Sequence, residues 1–339
     1  MPFRSGFVSI LGRPNAGKST LLNAIVGEKL AIISPKPQTT RNRIQGIVNV
    51  PKGKGHDAAQ IVLIDTPGVH KPDSSLGRKM MVEVHEALEG CDLILLLMDA
   101  TRKLDRRDEF AIQMLKQSQT PAFLVLNKVD LLKGGKDKLL PLIEEYRKLH
   151  QFREIIPISA LKRDGIEILV QRVAAVLPAG APLFPPDEIT DQPVRFMAAE
   201  IIRERVLVET AQELPYASTV IVDNFEEGSR LARIAATIYC EREGQKAILI
   251  GKHGQMLKRI GTSARMQIER LLGVKVFLEL YVKIQPHWRQ SRDFVEQTDW
   301  RRQLERTALD AAELPKHAPK KRSQKRPRAK ARTKLSGKS

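Results

Sequence analysis

"GRPNAGKST", residues 12–20, follows the apolar run Phe7-Val8-Ser9-Ile10-Leu11 and fits the pattern G-x-x-x-x-G-K-[ST] without a mismatch. Gly12 and Gly17 free the backbone to turn its N–H groups toward phosphate oxygens. The helix predicted from Lys18 onward adds the positive end of its dipole. In such a loop Arg13, Pro14, Asn15 and Ala16 surround the phosphates. The Lys18 ammonium reaches the β- and γ-phosphates, and the Ser19 hydroxyl ligates Mg²⁺. A strand-to-helix junction that binds a nucleoside triphosphate is thereby defined. The base is left open.

Segments further along decide the base. "LIDTPG", residues 63–68, puts Asp65 at the end of an apolar strand, where a carboxylate holds Mg²⁺. Thr66 and Pro67 follow, and then Gly68, whose N–H can reach the γ-phosphate. "LNKVD", residues 126–130, supplies Asn127 and Asp130 at another strand end, with Lys128 laid along the base and Val129 beside it. The Asp130 carboxylate accepts from both the N1–H and the exocyclic amine of guanine. Adenine lacks that donor pair and would leave the charge unpaired, a heavy penalty. "ISA", residues 158–160, sets Ser159 and Ala160 where a backbone N–H meets the guanine oxygen. "SPKPQTTRNRIQG", residues 34–46, has the polar character of a switch loop, and Thr39 or Thr40 must supply the second Mg²⁺ hydroxyl. Thr40 is favoured. The ordered set defines a guanine-nucleotide site. Lys18, Thr40 and Gly68 are its expected catalytic groups, and Ser19, Thr40 and Asp65 its metal set.

Two departures bear on mechanism. Ras-like proteins orient the attacking water with a glutamine after the glycine of D-x-x-G. Here Val69 stands in that place, and no arginine finger is evident. Slow intrinsic hydrolysis is expected. Asn15 resembles the residue that holds a monovalent cation near the β- and γ-phosphates in one branch of GTPases. A K⁺ ion there would take the arginine's electrostatic role.

The 339 residues are 42% apolar and 28% charged, which suits two soluble globular domains. The longest apolar run, Leu93 to Met98, is far too short to cross a bilayer, and no signal peptide is visible, so a cytoplasmic protein is expected. Cys91 and Cys240 give neither a disulfide framework nor a metal set and read as reduced core residues. The net charge is +18, and residues 315–339 alone carry eleven Lys and Arg with no acid. That tail cannot build a core and is expected to be disordered, with polyanions as partners: nucleic acid first, an anionic membrane surface second.

Residues 5–178 alternate strand and helix patterns, as a doubly wound, mainly parallel sheet does. Residues 179–195 are rich in proline and read as a linker. Residues 196–286 change to a small α+β domain, in the order α-β-β-α-β. There "GQKAILIGKHG", residues 244–254, reads as a strand running into a turn. Its G-x-x-G, Gly251-Lys252-His253-Gly254, is the kind of turn that clamps an RNA backbone. Lys258, Arg259 and Arg265 lie on the helix that follows. Residues 287–314 read as a helical extension and 315–339 as the basic tail.

The segments "GRPNAGKSTLLN", "SPKPQTTRNRIQGI", "IDTPGVHKP", "NKVD", "ISAL", "EREGQKAILIGKHG" and "PHWR" together resemble the Era family of bacterial GTPases, over roughly residues 5–290. The resemblance implies an α/β P-loop GTPase domain followed by a type II KH domain. It also implies GTP and GDP as ligands and Mg²⁺ as cofactor. The implied partner is the 3′ end of 16S rRNA, in 30S subunit assembly under nucleotide control. Nothing in the sequence demands more than a monomer. The stretch beyond residue 290 departs from the family pattern.

Overall fold

The computed structural model describes residues 3–34, 36, 38–53, 55–132, 135, 138–210 and 214–303. The expectations for residues 304–314 of the extension and for the basic tail fall outside the described residues.

Six strands make the first sheet, in the order β2-β3-β1-β4-β5-β6. They are β1 (Arg4–Gly12), β2 (Ile44–Val50), β3 (Ala59–Asp65), β4 (Leu93–Asp99), β5 (Ala122–Asn127) and β6 (Glu154–Pro157). All neighbours run parallel except β2, which lies antiparallel to β3 at one edge. Helices α1 (Lys18–Val26), α2 (Ser75–Glu89), α3 (Arg106–Lys116), α4 (Leu139–Leu149) and α5 (Ile166–Val176) intervene. Strands β4 and β5 are buried almost throughout, as their all-apolar runs require when helices cover both faces. The register pairs Ile10 with Asp65, Gly12 with Leu97, and Asp99 with Asn127. The phosphate loop, the Asp65 loop and the Asn127 loop therefore open at one carboxyl edge, where open α/β sheets bind ligands.

The second half runs α6 (Val194–Glu209), α7 (Leu214–Ala217), β7 (Thr219–Glu226), β8 (Leu231–Cys240), α8 (Glu243–Ile250), α9 (Gln255–Leu272) and β9 (Lys275–Ile284). β7 is antiparallel to β8, and β8 is parallel to β9. Here the structure corrects the sequence reading: "GQKAILI" is the helix α8, not a strand. The Gln245 side chain caps its start, Oε1 accepting from the backbone N–H of Glu241 (2.8 Å) and Arg242 (3.1 Å), and Leu249 is fully buried. The G-x-x-G thus joins two helices, and the order becomes α-β-β-α-α-β once the single-turn α7 is set aside.

The proline-rich stretch is also more than a spacer. Helix α6 opens at Val194, inside the expected linker. Residues before it strap the edge of the first sheet. Ile47 N–H donates to Ile189 O (2.9 Å), Asn49 Nδ2 to Pro186 O (2.9 Å) and Thr190 Oγ1 to Gln45 O (2.6 Å). The Gln60 side chain bonds both Leu183 and Phe184. An edge strand's unpaired backbone groups are satisfied in this way. Cys240 is buried, whereas Cys91 is only half-buried, and both thiols are free.

Chain beyond β9 returns to the first half. Trp288, with Phe294 and Val295 of α10 (Arg292–Gln297), forms a small apolar cluster with Leu76 and Met80 of α2. Leu76 N–H donates to Arg289 O (3.0 Å), and Ser75 Oγ to Gln290 O (2.6 Å).

Candidate nucleotide and nucleic-acid sites

Lys18 opens α1 and is buried, its Nζ donating to Gly12 O (3.1 Å) and Arg13 O (3.0 Å). The ammonium is thus held across its own loop. Burial pushes the Lys18 pKa down to about 8, with the Asp65 charge opposing. A phosphate over the loop would return the missing counter-charge.

Beside it three oxygens converge. Ser19 Oγ donates to Asp65 Oδ2 (2.7 Å), Thr40 Oγ1 donates to the same atom (3.1 Å), and the two hydroxyls lie 2.9 Å apart. Asp65 is fully buried, and its other oxygen, Oδ1, has no hydrogen-bond partner. Burial pushes its pKa up, while Lys18, Ser19 and Thr40 pull it down. An orphaned buried carboxylate oxygen beside two hydroxyls is a hard-oxygen donor set. It suits Mg²⁺, with waters and phosphate oxygens completing the shell. No group of three His, Cys, Asp or Glu side chains suited to a metal occurs among the described residues. Pro14, Asn15, Gly17, Lys18, Ser19, Thr40 and Gly68 all line one cleft of about 390 Å³. Gly68 has to be glycine, since a Cβ there would sit 2.6 Å from the Pro14 ring.

Several expected residues act otherwise. The Arg13 side chain turns out of the cleft to Asp105 (2.9 Å) and Asp108 (3.1 Å) at the start of α3. Thr66 is buried and donates to Ile10 O (2.7 Å), and Pro67 is buried next to it. Val69 packs into the core, its N–H donating to Gly12 O (3.0 Å), so its side chain offers nothing to a water. Asn127 braces two loops: Nδ2 donates to Ala16 O (2.8 Å), and Oδ1 accepts from Ala160 N–H (2.9 Å). Ser159 N–H donates to Asp164 O (3.0 Å). In this conformation both N–H groups expected for the guanine oxygen are therefore taken by the protein. Strand β6 has ended at Pro157, and the chain turns back on itself there. Lys128 adopts φ +67° and pairs with Asp99 (2.6 Å). Val129 and Asp130 lie in a 3₁₀ turn, Asp130 exposed.

In the second half, Lys252 and His253 are exposed in the turn between α8 and α9, and Lys258 is exposed on α9. Arg259 is exposed too but ion-paired with Glu209 of α6 (2.5 Å), and Arg265 pairs with Glu269 (3.0 Å). Among the described residues, Lys252 and Lys258 make no ion pair, and His253 lies between them in the chain.

Sequence reasoning missed how the switch loop is held. Lys36 Nζ donates to Leu207 O (2.5 Å) and Thr210 O (2.6 Å), closing the carboxyl end of α6. Arg203 donates to Thr39 O, and Arg41 Nη1 to Ser218 O (2.8 Å). These partners lie some 170 residues away from the switch, and no local pattern announces them.

A P-loop guanine-nucleotide site on a doubly wound sheet, followed by a KH fold, defines an RNA-linked GTPase. The comparisons agree. Residues 7–128 match the family model described as 50S ribosome-binding GTPase, and residues 213–289 match the KH domain. The chain is 50% identical over 297 residues to GTPase Era of Ruminiclostridium cellulolyticum, covering 87% of this chain and 97% of that one. It is 51% identical over 298 residues to GTPase Era of Geobacter metallireducens, covering 87% and 97%. An Aquifex aeolicus Era variant bound to GDP·AlF₄⁻ superposes with TM-score 0.82 at 43% identity, covering 87% and 98%. Era in complex with MgGDPNP and nucleotides 1506–1542 of 16S ribosomal RNA superposes equally well, at 42% identity and the same coverage. The chain belongs to the Era family of GTPases.

Proposed function

We propose that this GTPase binds the 3′ end of 16S rRNA through the turn at Gly251-Lys252-His253-Gly254, with Lys258 adjoining, and acts in assembly of the 30S subunit. Nucleotide state sets its affinity for that RNA. The observation that carries this reading is the convergence of Ser19, Thr40 and Asp65 beside buried Lys18, joined in one chain to an exposed basic G-x-x-G. A relative of the same architecture is seen with MgGDPNP and that rRNA segment.

In this reading Lys18 and the loop N–H groups hold the phosphates, and Asn127, Lys128 and Asp130 select guanine. Ser19, Thr40 and Asp65 hold Mg²⁺. When bound, the metal screens charge that develops on the phosphates. Gly68 reports the γ-phosphate through its N–H. Val69 leaves the attacking water without a side-chain partner, so intrinsic turnover is slow. Asn15, which lines the cleft, is the residue to which this reading assigns a K⁺ ion, and replacing K⁺ by Na⁺ should lower kcat. The described residues contain no helix long and apolar enough to cross a membrane. A cytoplasmic monomer fits this role, with membrane contact confined to the tail.

The test is binding of a labelled 3′-end rRNA oligonucleotide in the presence of a GTP analogue or GDP. Wild type is expected to bind tightly only with the analogue, and Gly254→Asp to lose binding in both states. Equal binding by Gly254→Asp would remove the KH turn from the RNA site.

A further inference from the structure

Thr40 is the member of the metal set that comes from the switch loop, and the residues on either side of it are gripped by the KH half. On one side, the Thr39 carbonyl accepts from Arg203 of α6, whose guanidinium is itself fixed by Glu200 (2.8 and 2.5 Å). On the other, Arg41 donates to Ser218 O (2.8 Å), and its guanidinium carbon lies 5.4 Å from the Trp288 ring centroid. Trp288 is completely buried. Its Nε1 donates to Ala217 O (2.9 Å), and its ring packs against Leu76 and Met80 of α2, the helix after the Asp65 loop. Both chain segments that approach the γ-phosphate therefore meet at one tryptophan.

We propose that Arg203 and Arg41 are positioning residues for GTP binding and hydrolysis, holding the Thr40 hydroxyl at Asp65 through bonds that exist only while the KH half is docked on the switch loop. The proposal rests on the assignment of Ser19, Thr40 and Asp65 to Mg²⁺. An anchor on each neighbour of Thr40 leaves the hydroxyl little freedom, and loss of either lets it leave the Asp65 carboxylate. The γ-phosphate state needs that hydroxyl, because switch loops are ordered through the γ-phosphate and its metal. GDP does not. Coupling of this kind is reciprocal, so bound Mg²⁺·GTP must favour the docked KH half by the same factor.

Arg41 and Arg203 are both buried at the switch loop. Arg203 Nη1 is buried without a hydrogen-bond partner.

The experiment measures affinity for a GTP analogue and for GDP across a Mg²⁺ series, with kcat and KM, in the full chain. Arg203→Ala and Arg41→Ala are expected to weaken the analogue about tenfold, as loss of a hydrogen bond to a charged group does. The Mg²⁺ requirement should rise, kcat should fall, and GDP affinity should stay at the wild-type value. Arg203→Lys should recover part of the loss. Should removal of one buried charge prevent folding, the Glu200→Gln/Arg203→Met pair removes both charges and should show the same selective loss. In a Trp300→Phe background Trp288 is the one remaining tryptophan. Its emission should change between GDP and analogue, and Arg41→Ala should abolish that change. Wild-type analogue affinity and kcat in these variants would overturn the proposal, as would equal loss of GDP and analogue. Ser19→Ala is the control on the underlying reading. If it binds both nucleotides as wild type does, the metal assignment fails, and the failure is distinguishable from that of the clamp.

Discussion

At the scale of single residues the phosphate loop carries a buried charge that the Asp65 carboxylate offsets only in part. The Lys18 pKa lies near 8 in the folded protein against 10.5 for the ordinary side chain. Between these values the unfolded chain binds more protons, so stability must rise with pH across that window. Below about pH 8 the full cost is present, on the order of 3 kcal/mol. Urea unfolding of nucleotide-free protein should therefore show a midpoint that climbs from pH 8 to 10. Saturating Mg²⁺·GDP should flatten the climb, since phosphate restores the ammonium's partner. Lys18→Met should remove it without nucleotide, and a slope that survives in Lys18→Met would assign it to another group.

The two glycines of the G-x-x-G turn differ in the same local terms. Gly251 sits at φ +69°, ψ 175°, a region open essentially to glycine alone, and a Cβ there would meet Met256 at 2.7 Å. Gly254 has φ +74°, ψ 9°, with open space around an added Cβ. Gly251→Ala should cost about 2–3 kcal/mol of stability, and Gly254→Asp about 1 kcal/mol, since Asp tolerates the left-handed region. Thermal unfolding of the two variants separates them. RNA binding by Gly254→Asp then reports charge at the turn and not collapse of the fold.

At the scale of elements, α3 shows how a helix start supports the nucleotide loop. Asp105 caps it, accepting from Arg107 N–H (2.8 Å), and Asp108 accepts from Asp105 N–H (3.0 Å) while also binding Arg13. Asp108→Ala removes one partner from a buried ion pair, and the expected cost is about 3 kcal/mol. GDP affinity should fall with it, because Arg13 and Lys18 share that loop. An unchanged unfolding midpoint would show that Asp105 alone suffices for Arg13. Elements also mark what the sequence could convey. Strands β4 and β5 were legible, because short unbroken apolar runs, Leu93–Met98 and Ala122–Leu126, suit strands covered on both faces. Helix α8 was not. Ala247-Ile248-Leu249-Ile250 is too short for its period to declare itself, and the deciding Gln245 cap is a side-chain contact. The proline-rich strap read as a linker because its prolines carry no periodicity, and its bonds to β2 come from residues far away in the sequence. The spacing named Ser19, Thr40 and Asp65, whose oxygens the structure brings together, whereas the anchors of Thr40 depend on packing between halves of the chain and leave no motif.

At the scale of the whole molecule the question is which charges govern RNA affinity. The basic tail holds eleven of the excess cations, leaving +7 for the rest, and the G-x-x-G turn and the helix after it present Lys252, His253 and Lys258. Contacts of the tail kind act through counterion release, which contributes about −0.7 to the slope of log K against log salt for each single-strand phosphate neutralised. Contacts of the KH kind add base and backbone recognition, which salt weakens far less. Truncation before Pro315 should therefore lower rRNA affinity strongly at low salt and little at high salt, and the salt slope should become shallower. The preference for GTP analogue over GDP should persist, because the residues linking Thr40 to the KH half all precede the cut. Co-sedimentation with vesicles containing phosphatidylserine should be lost in the truncated chain if the tail also meets anionic lipid. If truncation instead erased the nucleotide preference, the tail would have to act on the switch loop itself. The anchors at Arg41 and Arg203 would then be insufficient to carry the coupling.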